Sequence, residues 1–69
     1  MTDDLQLLAP RDVAALLGIT EKTLAEWRWK GTGPRFTKLG GTHRTAPVRY
    51  RASVIREWLD AQPVGGGVR

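Results

Sequence analysis

Cysteine is absent from this sequence, so neither a disulfide framework nor a thiolate-ligated zinc or iron–sulfur centre can hold the chain together. One histidine, His43, is too few for a multi-histidine metal centre, and no metal or cofactor is expected. No apolar run approaches the roughly 20 residues that a membrane span needs. The opening Met1-Thr2-Asp3-Asp4 is acidic and lacks the basic segment of a secretory signal. These absences point to a reduced, cytosolic setting without membrane contact. Enzyme chemistry is also poorly supplied. His43 has no carboxylate near it in sequence, the acidic side chains lie mainly in the outer thirds, and 69 residues leave little volume for a substrate pocket. The chain is expected not to be an enzyme, and to form one domain near the lower size limit for a self-sufficient core.

What is present is positive charge, and it is concentrated. The formal net charge is +4. Residues Lys22 to Arg56 hold nine basic side chains against Glu26 alone, whereas Asp3, Asp4, Asp12 and Glu21 precede them and Glu57 and Asp60 follow. A basic middle between acidic flanks makes a localised positive surface, whose natural partner is a polyanion, most often nucleic acid. A solvated basic face kept for solubility is the plain alternative.

Punctuation along the chain divides it into helix, helix, hairpin and helix. Pro10 suits a first helical turn, Val13, Leu16 and Leu17 follow at helical spacing, and Gly18 stands where the helix should end. Ala9 is a poor N-cap for this Pro10–Leu17 helix. Thr20 caps a second helix, Glu21 favours its first turn, Leu24 and Trp27 form its apolar stripe, and Lys30 and Gly31 close it. The turn signals Gly31-Thr32-Gly33-Pro34 lead to a short strand over Arg35–Leu39. A loop from Gly40 to Pro47, with His43 and Arg44 at its tip, joins it to Val48–Arg51, where apolar and basic residues alternate. Ser53 is expected to cap a third helix, Val54–Ala61, with Ile55, Trp58 and Leu59 on its apolar face and Gln62-Pro63 as its stop. Residues 1–9 read as an N-terminal arm, residues 10–62 as the folded domain and residues 63–69 as a flexible tail.

Only three residues separate the first two helices, so they must cross steeply, as in a helix-turn-helix. Ala14, four residues before Gly18, allows a close crossing, and Ile19 plugs the core. Leu24 and Trp27 then face inward, which turns Glu21, Lys22, Ala25, Glu26 and Trp29 outward. Thr20 and Thr23 stand at the N-terminus of the second helix, where free N–H groups suit a phosphate. Lys22 can reach a phosphate or a guanine edge, and Lys30 adds a cation at the far end. Glu26 either accepts from a cytosine amino group or pairs with Lys22 or Lys30 along the helix. Trp27 and Trp58 read as core anchors. Trp29 either covers the base of the hairpin or lies at the outward face, and packing is expected. Arg35, Lys38, Arg44, Arg49 and Arg51 give the hairpin a cationic stem and tip that can follow a groove or hold phosphates. His43 reads as an exposed loop residue beside Arg44 rather than a ligand, and Gly40-Gly41 as a turn.

The stretch LLAPRDVAALLGITEKTLAEWRWKGTGPRFTKLGG, followed by VRYRASVIREWL, resembles the small excisionase-type proteins of phages and mobile elements, winged helix-turn-helix proteins related to the DNA-binding domain of MerR-type regulators. The resemblance covers Leu7 to Leu59. It implies an α+β fold, a small winged helix-turn-helix with a two-stranded hairpin wing and a C-terminal helix. It maps a recognition helix onto Thr20–Lys30 (Thr20, Glu21, Lys22, Thr23, Glu26 and Lys30) and a wing onto Arg35–Arg51 (Arg35, Lys38, His43, Arg44, Arg49 and Arg51). Two features depart from the family pattern: Thr42 to Pro47 lengthens the wing, and Ala25 and Glu26 stand where many relatives carry arginine. The implied function is that of a recombination directionality factor in the cytoplasm of a bacterial host. It would bind double-stranded DNA near attachment sites, beside neighbouring copies of itself, and favour excision by a phage integrase. A small MerR-like transcription regulator and a protein-interaction module with a basic face are the competing expectations. With Pro63 and Gly65-Gly66-Gly67 after the third helix, the dimerising helix and effector domain that a MerR-type regulator adds are not expected.

Overall fold

The computed structural model describes residues 6–41 and 43–64. Its elements in chain order are β1 (Leu7–Leu8), α1 (Pro10–Leu17), α2 (Glu21–Lys30), β2 (Thr37–Lys38), β3 (Val48–Arg51) and α3 (Ala52–Asp60). The three strands form one antiparallel sheet in the order β1-β3-β2. This is a small α+β winged helix-turn-helix.

Local chemistry explains the first two helices. Proline occupies the first turn of α1, and Ala9 before it supplies no side-chain cap. Gly18 adopts the left-handed conformation, φ 73°, and lets the chain turn so that its N–H donates to the Ala15 carbonyl at 3.2 Å. The Ile19 N–H donates to the Ala14 carbonyl at 2.9 Å, so two carbonyls of the last turn of α1 are satisfied and Ile19 is directed to the core. Thr20 caps α2 through its hydroxyl, which accepts from the Thr23 N–H at 3.0 Å. Gly31, φ 78°, ends α2 in the way Gly18 ends α1, with the Thr32 N–H reaching the Trp27 carbonyl at 2.8 Å.

The core is Val13 and Ala14 of α1, Leu24 of α2, Tyr50 of β3 and Ile55 of α3, with Leu8, Leu17, Ile19, Trp27 and Val48 packed around it. Each element contributes little, which suits a small domain with one shared core. Trp27 and Trp58 meet with ring centroids 5.6 Å apart and tie α2 to α3.

Four expectations need correction. The arm is not separate from the domain, because Leu7 pairs with Arg51 and Leu8 with Tyr50, adding a third strand to the hairpin. Met1–Leu5 of that arm, Thr42 of the wing loop and Gly65–Arg69 of the tail lie outside the described residues. The first hairpin strand is Thr37–Lys38 rather than Arg35–Leu39, although the Leu39 N–H still reaches the Pro47 carbonyl at 2.9 Å. The third helix begins at Ala52, not Val54, and Ser53 does not cap it. The Ala52 N–H donates to the Gln6 carbonyl at 3.0 Å, so strand pairing holds the chain to Ala52, extended Arg51 becomes the cap residue, and Ser53 falls inside the first turn. Leu16 is 62% exposed and Leu59 44% exposed, so neither joins the core. Val13 and Ala14 take the inward face of α1, and Ile55 that of α3.

Candidate nucleic-acid interface

The second helix separates its residues by face as its spacing requires. Leu24 is completely buried and Trp27 half-buried, while Glu21, Lys22, Ala25, Glu26 and Trp29 are all exposed. Lys30, at the last turn, is exposed as well. The two threonines at the start are partly engaged with each other. The Thr20 hydroxyl donates to Thr23 Oγ1 at 3.1 Å and accepts from the Thr23 amide. The Thr23 N–H is therefore used in the cap and is not free to meet a phosphate. Glu26 forms no ion pair with Lys22 or Lys30 among the described residues. Its carboxylate is left directed to solvent on the same face as two lysines.

Trp29 departs from its expected packing and stands 86% exposed, the most exposed aromatic ring among the described residues. Helical rotation accounts for this. Trp27 lies on the stripe through Leu24, and a residue two positions on points away from that stripe. Among the described residues nothing from the hairpin covers it.

The wing cations are placed in two ways. Arg35, Arg44 and Arg51 are exposed, as is His43. Lys38 and Arg49 are half-buried, and Arg49 Nη1 donates to the Val48 carbonyl at 2.7 Å, folding the guanidinium along its own strand. The loop tip is a compact turn. The Ala46 N–H donates to the His43 carbonyl at 3.0 Å, His43 Nδ1 lies 2.9 Å from Thr45 Oγ1, and Ala46 is buried beneath them. His43 is thus bonded within its loop, which leaves Arg44 as the cation at the turn.

A group that the sequence reading passed over joins the second helix to the wing. Arg28 Nη1 donates to the Tyr50 hydroxyl at 3.1 Å, and the Arg28 guanidinium carbon lies 5.9 Å from the centre of the Phe36 ring. Phe36 in turn lies 6.3 Å from Tyr50, ring to ring. Tyr50 is fully buried, so its hydroxyl needs a partner, and Arg28 supplies one from α2. The cation over Phe36 adds attraction at the point where the chain enters β2. Arg28 therefore holds α2 and the wing-bearing sheet in a fixed relation, so cations on the two elements act as one surface. The available signal was its position, four residues after Leu24 and so beside the buried stripe, where a charged side chain implies a partner.

Among the described residues no helix is long and apolar enough to cross a membrane. Residues 7–63 match a protein-family profile described as a helix-turn-helix domain. No curated protein and no solved structure matches the chain significantly.

Proposed function

The chain belongs to the helix-turn-helix domain family, and on that premise we propose that it is a sequence-specific, architectural DNA-binding protein acting as a recombination directionality factor. DNA is the partner that the family match supports. The observation that carries the reading is the outward face of α2, where Lys22 and Glu26 stand exposed on a helix locked to a cationic wing through Arg28 and Tyr50.

In this reading α2 lies in the major groove with its exposed face toward the bases. Lys22 meets a guanine edge or a phosphate. Glu26, held by no neighbouring lysine, accepts from a cytosine amino group, a contact that offsets the repulsion a carboxylate meets near DNA. Thr20, Glu21, Thr23 and Lys30 flank these contacts. Arg35, Lys38, Arg49 and Arg51 line the wing stem along the phosphates, with Arg44 and His43 at the tip. Several copies on neighbouring sites would shape the DNA so that a phage integrase complex excises rather than integrates. The resemblance over Leu7 to Leu59 supports this excision role. The chain acts here by binding and not as an enzyme.

Footprinting on the attachment sites of the mobile element tests the proposal. Protection of repeated sites beside an attachment site is the expected result. Protection confined to a promoter would assign the chain to transcription regulation instead. Absence of any footprint, with DNA affinity that does not fall as salt rises, would leave the basic face to a protein partner.

A further inference from the structure

We propose that Ala25 and Trp29 together form an apolar notch that reads the methyl group of a thymine in the major groove. The inference rests on the placement of α2 in DNA given above and adds a base-reading element to it. The two residues are four apart and so share one helix face, which also carries Lys22 and Glu26. Ala25 is small and Trp29 stands 86% exposed, so the ring rises beside a gap. The space between them is a shallow concavity of about 500 Å³ bordered by Ala25, Glu26, Trp29 and Lys30.

An indole left this open, on a helix that buries only Leu24 completely, is not packed into the core of the described residues. Charge says what covers it. Lys22 and Lys30 lie on the same exposed helix, and the whole segment from Lys22 to Arg56 has one acidic residue against nine basic ones. The occupant is therefore polyanionic yet offers an apolar group at the helix surface. Among the base edges of the major groove only thymine does so, through its C5-methyl, which apolar side chains contact. A neighbouring cytosine amino group would meet Glu26, at the side of the same notch. The pair would then read adjacent pyrimidines by one apolar and one polar contact.

The test uses the full chain and a duplex enriched by it from a random-sequence pool. Each thymine of the enriched duplex is replaced in turn by uracil, which removes the methyl and preserves base pairing. At one position the wild-type affinity should fall about fourfold, the worth of one buried methyl group. Trp29→Ala should bind the thymine and uracil duplexes equally, with unchanged circular dichroism. Ala25→Leu, which fills the gap with a good helix former, should also erase the difference. If a duplex is enriched but no uracil replacement matters, or Trp29→Ala keeps the full thymine preference, the notch is overturned while DNA binding stands. A change in self-association of Trp29→Ala with the thymine effect intact would likewise overturn it. If no duplex is enriched and no salt-dependent DNA binding is found, the placement of α2 in DNA fails and the notch with it.

Discussion

The helix-turn-helix and the wing are held by different means. Between Pro10 and Gly31 the chain is fixed locally, by a threonine cap and two left-handed glycines, with Val13, Ala14 and Leu24 driven into the core. Between Thr37 and Arg51 local signals are weak. β2 has two residues, the loop tip is tied by bonds between close neighbours, and the ribbon is anchored through its Tyr50 to Arg28 of α2 and to Phe36, which precedes β2. Substitutions of the buried residues and capping glycines of the first region should therefore act through stability. Those at the wing tip should leave stability alone and act through charge.

Leu24→Ala should mark one extreme. Its side chain is completely buried where α1, α2 and the sheet converge, and truncation should cost about 3 kcal/mol. In a domain this small that is a large share of the total, so the thermal transition should fall steeply or vanish. A melting curve like that of the parent would mean α2 is not packed as described.

Gly33→Ala tests the junction between the two regions. Gly33 has φ +79°, and an added Cβ would lie 2.7 Å from Trp27 Cε3. Both the left-handed backbone and the contact oppose the substitution, at about 2 kcal/mol together. Denaturant unfolding should show this loss. An unchanged midpoint would show that the backbone at position 33 relaxes out of the left-handed region and that the Trp27 ring yields to the added Cβ.

Lys22→Ala should separate binding from folding within α2. The residue is exposed, so unfolding should be unaltered, while DNA affinity should fall by about 1–3 kcal/mol if Lys22 meets a base. Equal affinity for the variant and the parent, measured on the same duplex, would remove this part of the helix from the interface.

Arg44→Ala should have the smallest effect and the most discriminating one. The melting temperature should not move, because Arg44 is exposed on a turn tied by His43, Thr45 and Ala46. If the guanidinium touches phosphate, affinity should fall evenly across sequences and the salt slope should drop by about one unit. If it enters the minor groove, the loss should be greater on A·T-rich flanks, where that groove is narrow. Binding measured on two flanking sequences at several salt concentrations separates the two. No change in either quantity would turn the lengthened loop away from DNA.

Legibility in the sequence followed the same division. The bounds of α1 and α2 could be read because Pro10, Gly18, Thr20 and Gly31 each act on their own neighbours. The strand Val48–Arg51 showed in its alternation, and the exposure of Lys22, Ala25 and Glu26 followed from the burial of Leu24. Less was legible wherever the cause lay far along the chain. Leu7–Leu8 is too short to show a period and becomes a strand only by pairing with Tyr50 and Arg51. That same pairing moved the start of α3 ahead of Ser53. The role of Arg28 did not show, because its partner Tyr50 is 22 residues away. Trp29 was misplaced because an aromatic ring was expected to find cover, and the helix offers none on that side.

The hydrogen bond from the Ala52 amide to the Gln6 carbonyl makes that amide a timer for the opening of the fold. It closes a loop that runs through α1, α2 and the wing, so its closure carries a large loop-entropy cost. An amide at the first position of a helix has no partner within the helix to protect it. Release of the β1 edge alone would thus expose it to solvent deuterium while Leu24 stayed shielded. Native-state hydrogen exchange should record Ala52 exchanging faster than Leu24. The ratio of the two rates would measure how readily the N-terminal strand detaches while the helices remain assembled. Equal rates would mean that the strand and the helices open together, in a single cooperative event.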